Sequence, residues 1–113
     1  RETVAKDTGP ISIEEGRKLY QLMGCIACHS LTGSDMPKVG PTWSGLYGSE
    51  RTVVVNSEKT SAFADEAYIR ESIIDPTAKI ISGFEKGEYA MPSYAGVLTD
   101  SQIESLILFI KSI

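Results

Sequence analysis

The residues best equipped for chemistry stand together in Cys25-Ile26-Ala27-Cys28-His29, which holds both cysteines and the only histidine of the 113-residue chain. The spacing C-x-x-C-H is the attachment signature of a c-type haem. Two thiols three positions apart can add to the two vinyl groups of one porphyrin. The next residue, His29, then lies under the iron and supplies a neutral imidazole nitrogen as the proximal ligand. On this reading the haem carries the chemistry and the protein tunes it.

Three plainer readings compete. A structural zinc site needs about four nitrogen or sulfur ligands, and no second Cys/His cluster completes the set begun by Cys25, Cys28 and His29. A thioredoxin-like pair sits after a strand in a βαβ unit, whereas the residues before Cys25 read as a helix. A disulfide between Cys25 and Cys28 closes a tiny loop and leaves His29 unexplained. Covalent haem is the reading that uses every cysteine and histidine present, with the disulfide and redox-pair readings as the remaining alternatives.

A haem iron needs a second axial ligand or an open position, and that choice decides the function. One histidine excludes bis-histidine ligation within this chain, and the soft thioether of methionine is the usual alternative. Met23 falls on the apolar face of the helix preceding the motif and reads as core. Met36 is tethered close to His29. Met91 lies far downstream in a loop and is followed by Pro92. A distant, loop-borne side chain reaches the opposite porphyrin face most easily, so Met91 is the expected sixth ligand, with Met36 and an open or lysine-ligated iron as the alternatives and a gap-filling thioether as the plain reading of Met91.

These groups must be positioned by the surrounding elements. Ser12-Ile13-Glu14-Glu15 reads as a capping box. It opens a helix whose Ile13, Gly16, Tyr20 and Met23 share one face, and Gly24 ends it. Gly16 inside a helix costs about 1 kcal/mol relative to alanine, which a close approach by another helix would explain. Residues 30–50 are loop-rich, with Gly33, Pro37, Gly40, Pro41, Gly45 and Gly48. Thr52–Val55 is a β-branched run before Asn56-Ser57, which predicts a short hairpin near 52–60. Asp65 caps a middle helix to Ile74, stopped by Asp75-Pro76. Pro76–Leu98 reads as a long loop. Thr99-Asp100-Ser101-Gln102 is a second capping box, with Leu98 and Ile103 as its hydrophobic staple. The last helix carries Ile103, Leu106, Ile107 and Ile110 as a stripe that Phe109 widens. Residues 1–11 form a polar tail or linker, and 12–113 one monohaem domain.

Composition sets bounds. A 42% hydrophobic content fits one small core. A net charge of −4 argues against non-specific nucleic-acid binding. No apolar stretch approaches the roughly 20 residues that span a bilayer.

The order capped helix, CxxCH, Gly40-Pro41, middle helix, Met91-Pro92, capped C-terminal helix resembles a class I cytochrome c, from Ser12 to Ile113. The resemblance implies an all-α fold with N- and C-terminal helices crossing and loops wrapped around the haem. Gly16 and Tyr20 match one half of that family's helix contact, and Leu106 and Phe109 the other. Pro41 matches the proline whose carbonyl accepts a bond from the proximal imidazole, orienting His29 and raising its basicity. Trp43, Ser30, Leu31, Tyr47, Tyr68, Tyr89 and Tyr94 are candidates to line the pocket, with Trp43 the first choice for a propionate contact. A narrower likeness is carried by Tyr68–Pro76, Ile80–Phe84 and Met91–Tyr94. These segments are similar to the cytochrome c domain fused to subunit II of haem-copper oxidases, and to separate monohaem subunits of respiratory complexes.

What the resemblance implies is one-electron transfer through one haem c, without substrate chemistry of the chain's own. The expected partners are an electron donor and a respiratory complex or oxidase copper centre. Any membrane association runs through a parent subunit or anchor outside this chain. The location implied is the periplasm, or the extracytoplasmic face of the bacterial membrane. The polar segment at Arg1 lacks the apolar core of a secretory leader, so the chain is expected to be a processed or excised piece. Lys38, Lys79 and Lys86 offer positive charge for docking, diluted by Glu85 and Glu88. The competing function is a gas-sensing or ligand-binding haem domain with a displaceable methionine. A peroxidase-like reading lacks a second histidine as distal base.

Overall fold

Capped, amphipathic stretches become helices where expected, and the loops between them hold a small sheet. The computed structural model describes residues 9–29, 31, 42–81 and 91–113, apart from the side chains of Cys28 and Ile81. Helix α1 runs Ile13–Leu22 and a single turn, α2, spans Cys25–Cys28. Strands β1 (Glu50–Val55) and β2 (Glu58–Phe63) follow, then α3 (Glu66–Ile74), β3 (Ile80–Ile81) and α4 (Asp100–Lys111).

The sheet has the order β2-β1-β3, antiparallel throughout. The all-α expectation therefore understates the strand content. Its hairpin near 52–60 is present but longer, and the third strand falls in a stretch read as loop. The β-branched run Thr52–Val55 favours the pleated conformation, and pairing continues outward to Glu50 opposite Phe63. Asn56 and Ser57 both adopt positive φ, 52° and 70°, the mirror-image turn that matches strand twist in two-residue hairpins. Two residues, Ile80 and Ile81, are too few to display a strand period. They pair with Val54 and Val53, the latter fully buried.

Three helix caps form. Asp65 accepts from the Tyr68 N–H at 2.8 Å and starts α3. Thr99 accepts from the Gln102 N–H at 3.2 Å, and the Gln102 side chain returns to the Thr99 N–H at 2.8 Å, completing the expected box. Ser12 accepts from the Glu15 N–H at 3.0 Å, but the reciprocal half of its box is absent. The Ser12 N–H instead donates to Ser105 Oγ on α4 at 3.1 Å, and that hydroxyl donates to the Pro10 carbonyl at 3.2 Å. A long-range partner has taken the donor that Glu15 would have capped, and Glu15 turns to Lys18 at 3.3 Å.

The core is the seam between α1 and α4, extended by α3 and β1. Phe109, Leu106, Ile107 and Ile110 are almost completely buried, together with Leu19, Tyr20, Ile69 and Ile73. Gly16 is the point of closest approach. A Cβ placed there would stand 2.1 Å from the Ser105 carbonyl oxygen and 2.7 Å from Phe109 Cβ. The clash is with backbone, so the helices themselves would have to move apart. Arg17 covers the edge of this contact, its guanidinium 5.2 Å from the Phe109 ring centroid.

Replacing Gly16 by alanine pits two effects against each other. Helix propensity favours alanine by about 1 kcal/mol, while overpacking at a rigid seam costs about 1–3 kcal/mol or more. With backbone as the obstacle, we expect a net loss of roughly 2 kcal/mol, read as a lower urea midpoint at unchanged slope. A G16A variant as stable as the parent would refute the close-contact account.

Candidate haem site

The CxxCH motif occupies a chain reversal built from local rules. Helix α1 ends as the Met23 N–H donates to the Leu19 carbonyl at 2.8 Å. Gly24 then takes φ +85°, open to glycine without strain, and serves as the N-cap of α2. Residues i and i+3 of a helical turn share a face, so α2 sets positions 25 and 28 on one side. His29 is its C-cap, in extended backbone, with its N–H donated to the Cys25 carbonyl at 2.9 Å. Both Cys25 and His29 are half-buried.

His29 faces an aromatic wall. The Trp43 ring stacks on its imidazole with centroids 5.2 Å apart and planes at 29°. Tyr20, at 5.0 Å, and Phe109, at 6.4 Å, pack against Trp43 in turn. The Tyr20 hydroxyl donates to the His29 carbonyl oxygen. The expected role of Tyr20 was helix packing alone. The polar tip of a core tyrosine seeks a partner, but its choice of the histidine backbone has no signature in residue spacing. Trp43 is only 5% exposed, and its indole N–H meets no acceptor among the described residues.

The other pocket candidates separate. Leu31 packs half-buried against the core. Tyr94 is half-buried, and its hydroxyl donates to the Met23 carbonyl at 2.7 Å. Tyr68 is buried on α3. Tyr47 is 39% exposed, with the Lys111 ammonium 5.1 Å from its ring centroid, so it belongs to the surface beside α4. A sequence cannot tell such a face from a pocket, because both present an aromatic in a glycine-rich loop. Lys79 is engaged with Glu71 at 2.5 Å. Ser30, Met36, Lys38, Pro41, Glu85, Lys86, Glu88 and Tyr89 lie outside the described residues.

Met91 is half-buried at the start of a segment anchored to two helices. The Tyr94 N–H donates to the Ile73 carbonyl at 3.0 Å and Ser93 Oγ to the Ile74 carbonyl at 2.5 Å, both at the end of α3. The Tyr94 hydroxyl ties the same segment to the end of α1. Met23, expected as core, packs half-buried against the hydrophobic cluster.

A helical chain with a small sheet, reversed at a CxxCH turn, defines a small haem-carrying fold. The cytochrome c family model matches residues 13–113. Cytochrome c2 of Blastochloris viridis is 30% identical over 94 residues, covering 77% of this chain and 68% of that protein. Cytochrome c-550 of Bradyrhizobium diazoefficiens is 30% identical over 93 residues, covering 77% of this chain and 63% of that protein. The chain belongs to the cytochrome c family. It carries one haem c, joined covalently through Cys25 and Cys28, and transfers electrons with redox proteins as partners. The residues in place suit that group. The helical turn pairs positions 25 and 28, the imidazole follows directly, and a buried indole has a donor with no acceptor among the described residues. No helix among the described residues is long and apolar enough to cross a membrane.

Two outcomes follow from these contacts. Tyr20→Phe removes the hydroxyl donated to the His29 carbonyl and should lower stability by about 1 kcal/mol, measured by urea unfolding; no loss would show that the bond contributes nothing. Burial, the largest effect, pushes the Tyr68 phenol above its ordinary value of 10.0; Arg51 and Lys79 pull it down, and Glu71 raises it. The native state then keeps a proton that the unfolded chain loses above about pH 10, so stability falls as pH rises through that range. Tyr68→Phe should flatten that alkaline decline, followed by unfolding midpoints between pH 9 and 11, roughly one unit either side of the free phenol.

Proposed function

We propose that this chain is a one-electron carrier whose iron is held by His29 and Met91, and that it delivers electrons to a respiratory terminal oxidase. The observation that carries the reading is the single histidine of the chain, seated at the C-cap of the CxxCH turn against a buried aromatic wall. With no other imidazole available, the second ligand falls to a thioether, and Met91 starts a half-buried segment tied to α1 and α3.

Bound haem supplies reversible iron(II)/iron(III) chemistry, and a methionine ligand raises its potential. The protein contributes rigidity. His29 is held at its carbonyl by Tyr20 and at its ring by Trp43. Met91 is held by a segment bonded to two helix ends. Ligands that keep their places in both oxidation states leave little to reorganise when an electron moves. By its likeness to the family's proline, Pro41 is the residue whose carbonyl would accept the imidazole N–H of His29 and make the ring more basic. Trp43, whose indole N–H meets no acceptor among the described residues, is the first choice for a propionate contact. Residues 12–113 form the haem-carrying unit and 1–11 its tail or linker.

The oxidase assignment rests on the likeness of Tyr68–Pro76, Ile80–Phe84 and Met91–Tyr94 to the domain fused to oxidase subunit II. Such a domain faces the periplasm, or the outer face of the bacterial cytoplasmic membrane. Encounters with its partners are small and transient.

Visible spectra of the oxidised and reduced protein, with and without carbon monoxide, test the ligation. A low-spin spectrum with a weak far-red methionine–iron band and no carbon monoxide shift is expected. Met91→Ala should abolish that band, admit carbon monoxide and lower the potential. A high-spin parent, or one that binds carbon monoxide rapidly, would sink the reading in favour of a ligand-sensing domain. Oxygen uptake by a purified haem-copper oxidase, supplied with the reduced protein as sole donor, tests delivery. Failure to support uptake would remove the oxidase assignment.

A further inference from the structure

We propose that Trp43 is a positioning residue whose indole, beside the bond proposed to Pro41, helps set the plane of the His29 imidazole and couples that plane to the α1–α4 seam. The proposal rests on His29 being the proximal ligand.

A histidine ring turns broadly about its terminal torsion. The backbone of a helix end therefore places the imidazole without orienting it. A second flat ring does so if it lies nearly parallel and cannot move. The Trp43 ring meets the first condition, with planes at 29° and centroids 5.2 Å apart, an offset-stacked arrangement. Packing meets the second. Tyr20 and Phe109 pack against the indole, with centroids at 5.0 and 6.4 Å, and their own rings stand 5.8 Å apart. Phe109 is the residue whose Cβ confronts Gly16.

The backbone around Trp43 is also fixed. The Leu46 N–H donates to the Trp43 carbonyl at 3.1 Å, and the Ser44 N–H to Thr42 Oγ1 at 3.2 Å. The Gly45 N–H reaches the carbonyl of Ile113, just past α4, at 3.3 Å. The turn that carries the indole is thus bonded to the end of α4, whose Phe109 supports the ring. A smaller apolar side chain at position 43 could fill the core but could not span from His29 to both Tyr20 and Phe109.

The test uses the haem-loaded, oxidised protein. The spread of the haem methyl proton resonances reports the orientation of the axial ligand planes, which a core truncation away from Trp43, Tyr20 and Phe109 should not move. Trp43→Leu is expected to change that spread while the low-spin spectrum persists. Trp43→Phe, which keeps a flat ring, should restore most of the parent pattern. Ile103→Val, a core truncation on the first turn of α4, should leave the pattern unchanged despite its loss of stability. An unaltered pattern in Trp43→Leu, or an equal change in Ile103→Val, overturns the proposal. So does a larger change in Trp43→Phe than in Trp43→Leu. Should Trp43→Leu fail to mature, Trp43→Met takes its place: a changed spread supports the role and an unchanged one removes it. Failure of the ligation reading would look different, because the parent itself would then be high-spin.

Discussion

The distance between α1 and α4 at Gly16 governs much of this molecule. Any side chain there would meet the carbonyl oxygen of Ser105 and the Cβ of Phe109. The helices can therefore touch backbone to side-chain root. Closeness at that point lets Ser105 reach two groups ahead of α1, accepting from the Ser12 N–H and donating to the Pro10 carbonyl. A hydroxyl buried without partners would be costly. Used twice, it joins the entrance of the first helix to the middle of the last.

The same seam supports the chemistry. Phe109 and Tyr20 are set against each other by the approach at Gly16, and Trp43 closes on both. The imidazole of His29 rests on Trp43, and the His29 carbonyl accepts from Tyr20. A continuous run of packed rings thus links the glycine contact to the haem-bearing turn. On the other side of the sequence, the segment opening at Met91 is tethered by Ser93 and Tyr94 to the ends of α3 and α1. The two proposed ligands of the iron sit on different segments, and both segments return to α1. Rigid placement of this kind suits an electron carrier, which gains from ligands that stay still.

The local devices were legible in the residues because their physics is local. Ser12, Asp65 and Thr99 cap helices within three residues of themselves, Gly24 takes a positive φ at a helix end, and Asn56-Ser57 turns a hairpin. Gly16 announced a close helix by being a poor helix former in a helix. The misses share a cause. The Glu15 half of the first capping box gave way to Ser105, 93 positions away from Ser12. Strand β3 exists only because β1 offers it an edge. Tyr47 turned out to face Lys111 and solvent, since a loop aromatic carries no mark of the side it will present.

By itself, the sequence determined the family and the attachment chemistry. CxxCH is a contiguous motif whose meaning does not depend on the rest of the chain, and one histidine limits the ligand choices outright. Only the tertiary structure decided what surrounds that histidine. Trp43, Tyr20 and Phe109 come from a loop, the first helix and the last, and spacing along a chain says nothing about which rings will meet. Their meeting is set by how closely two helices can approach, and that is a property of the packed fold.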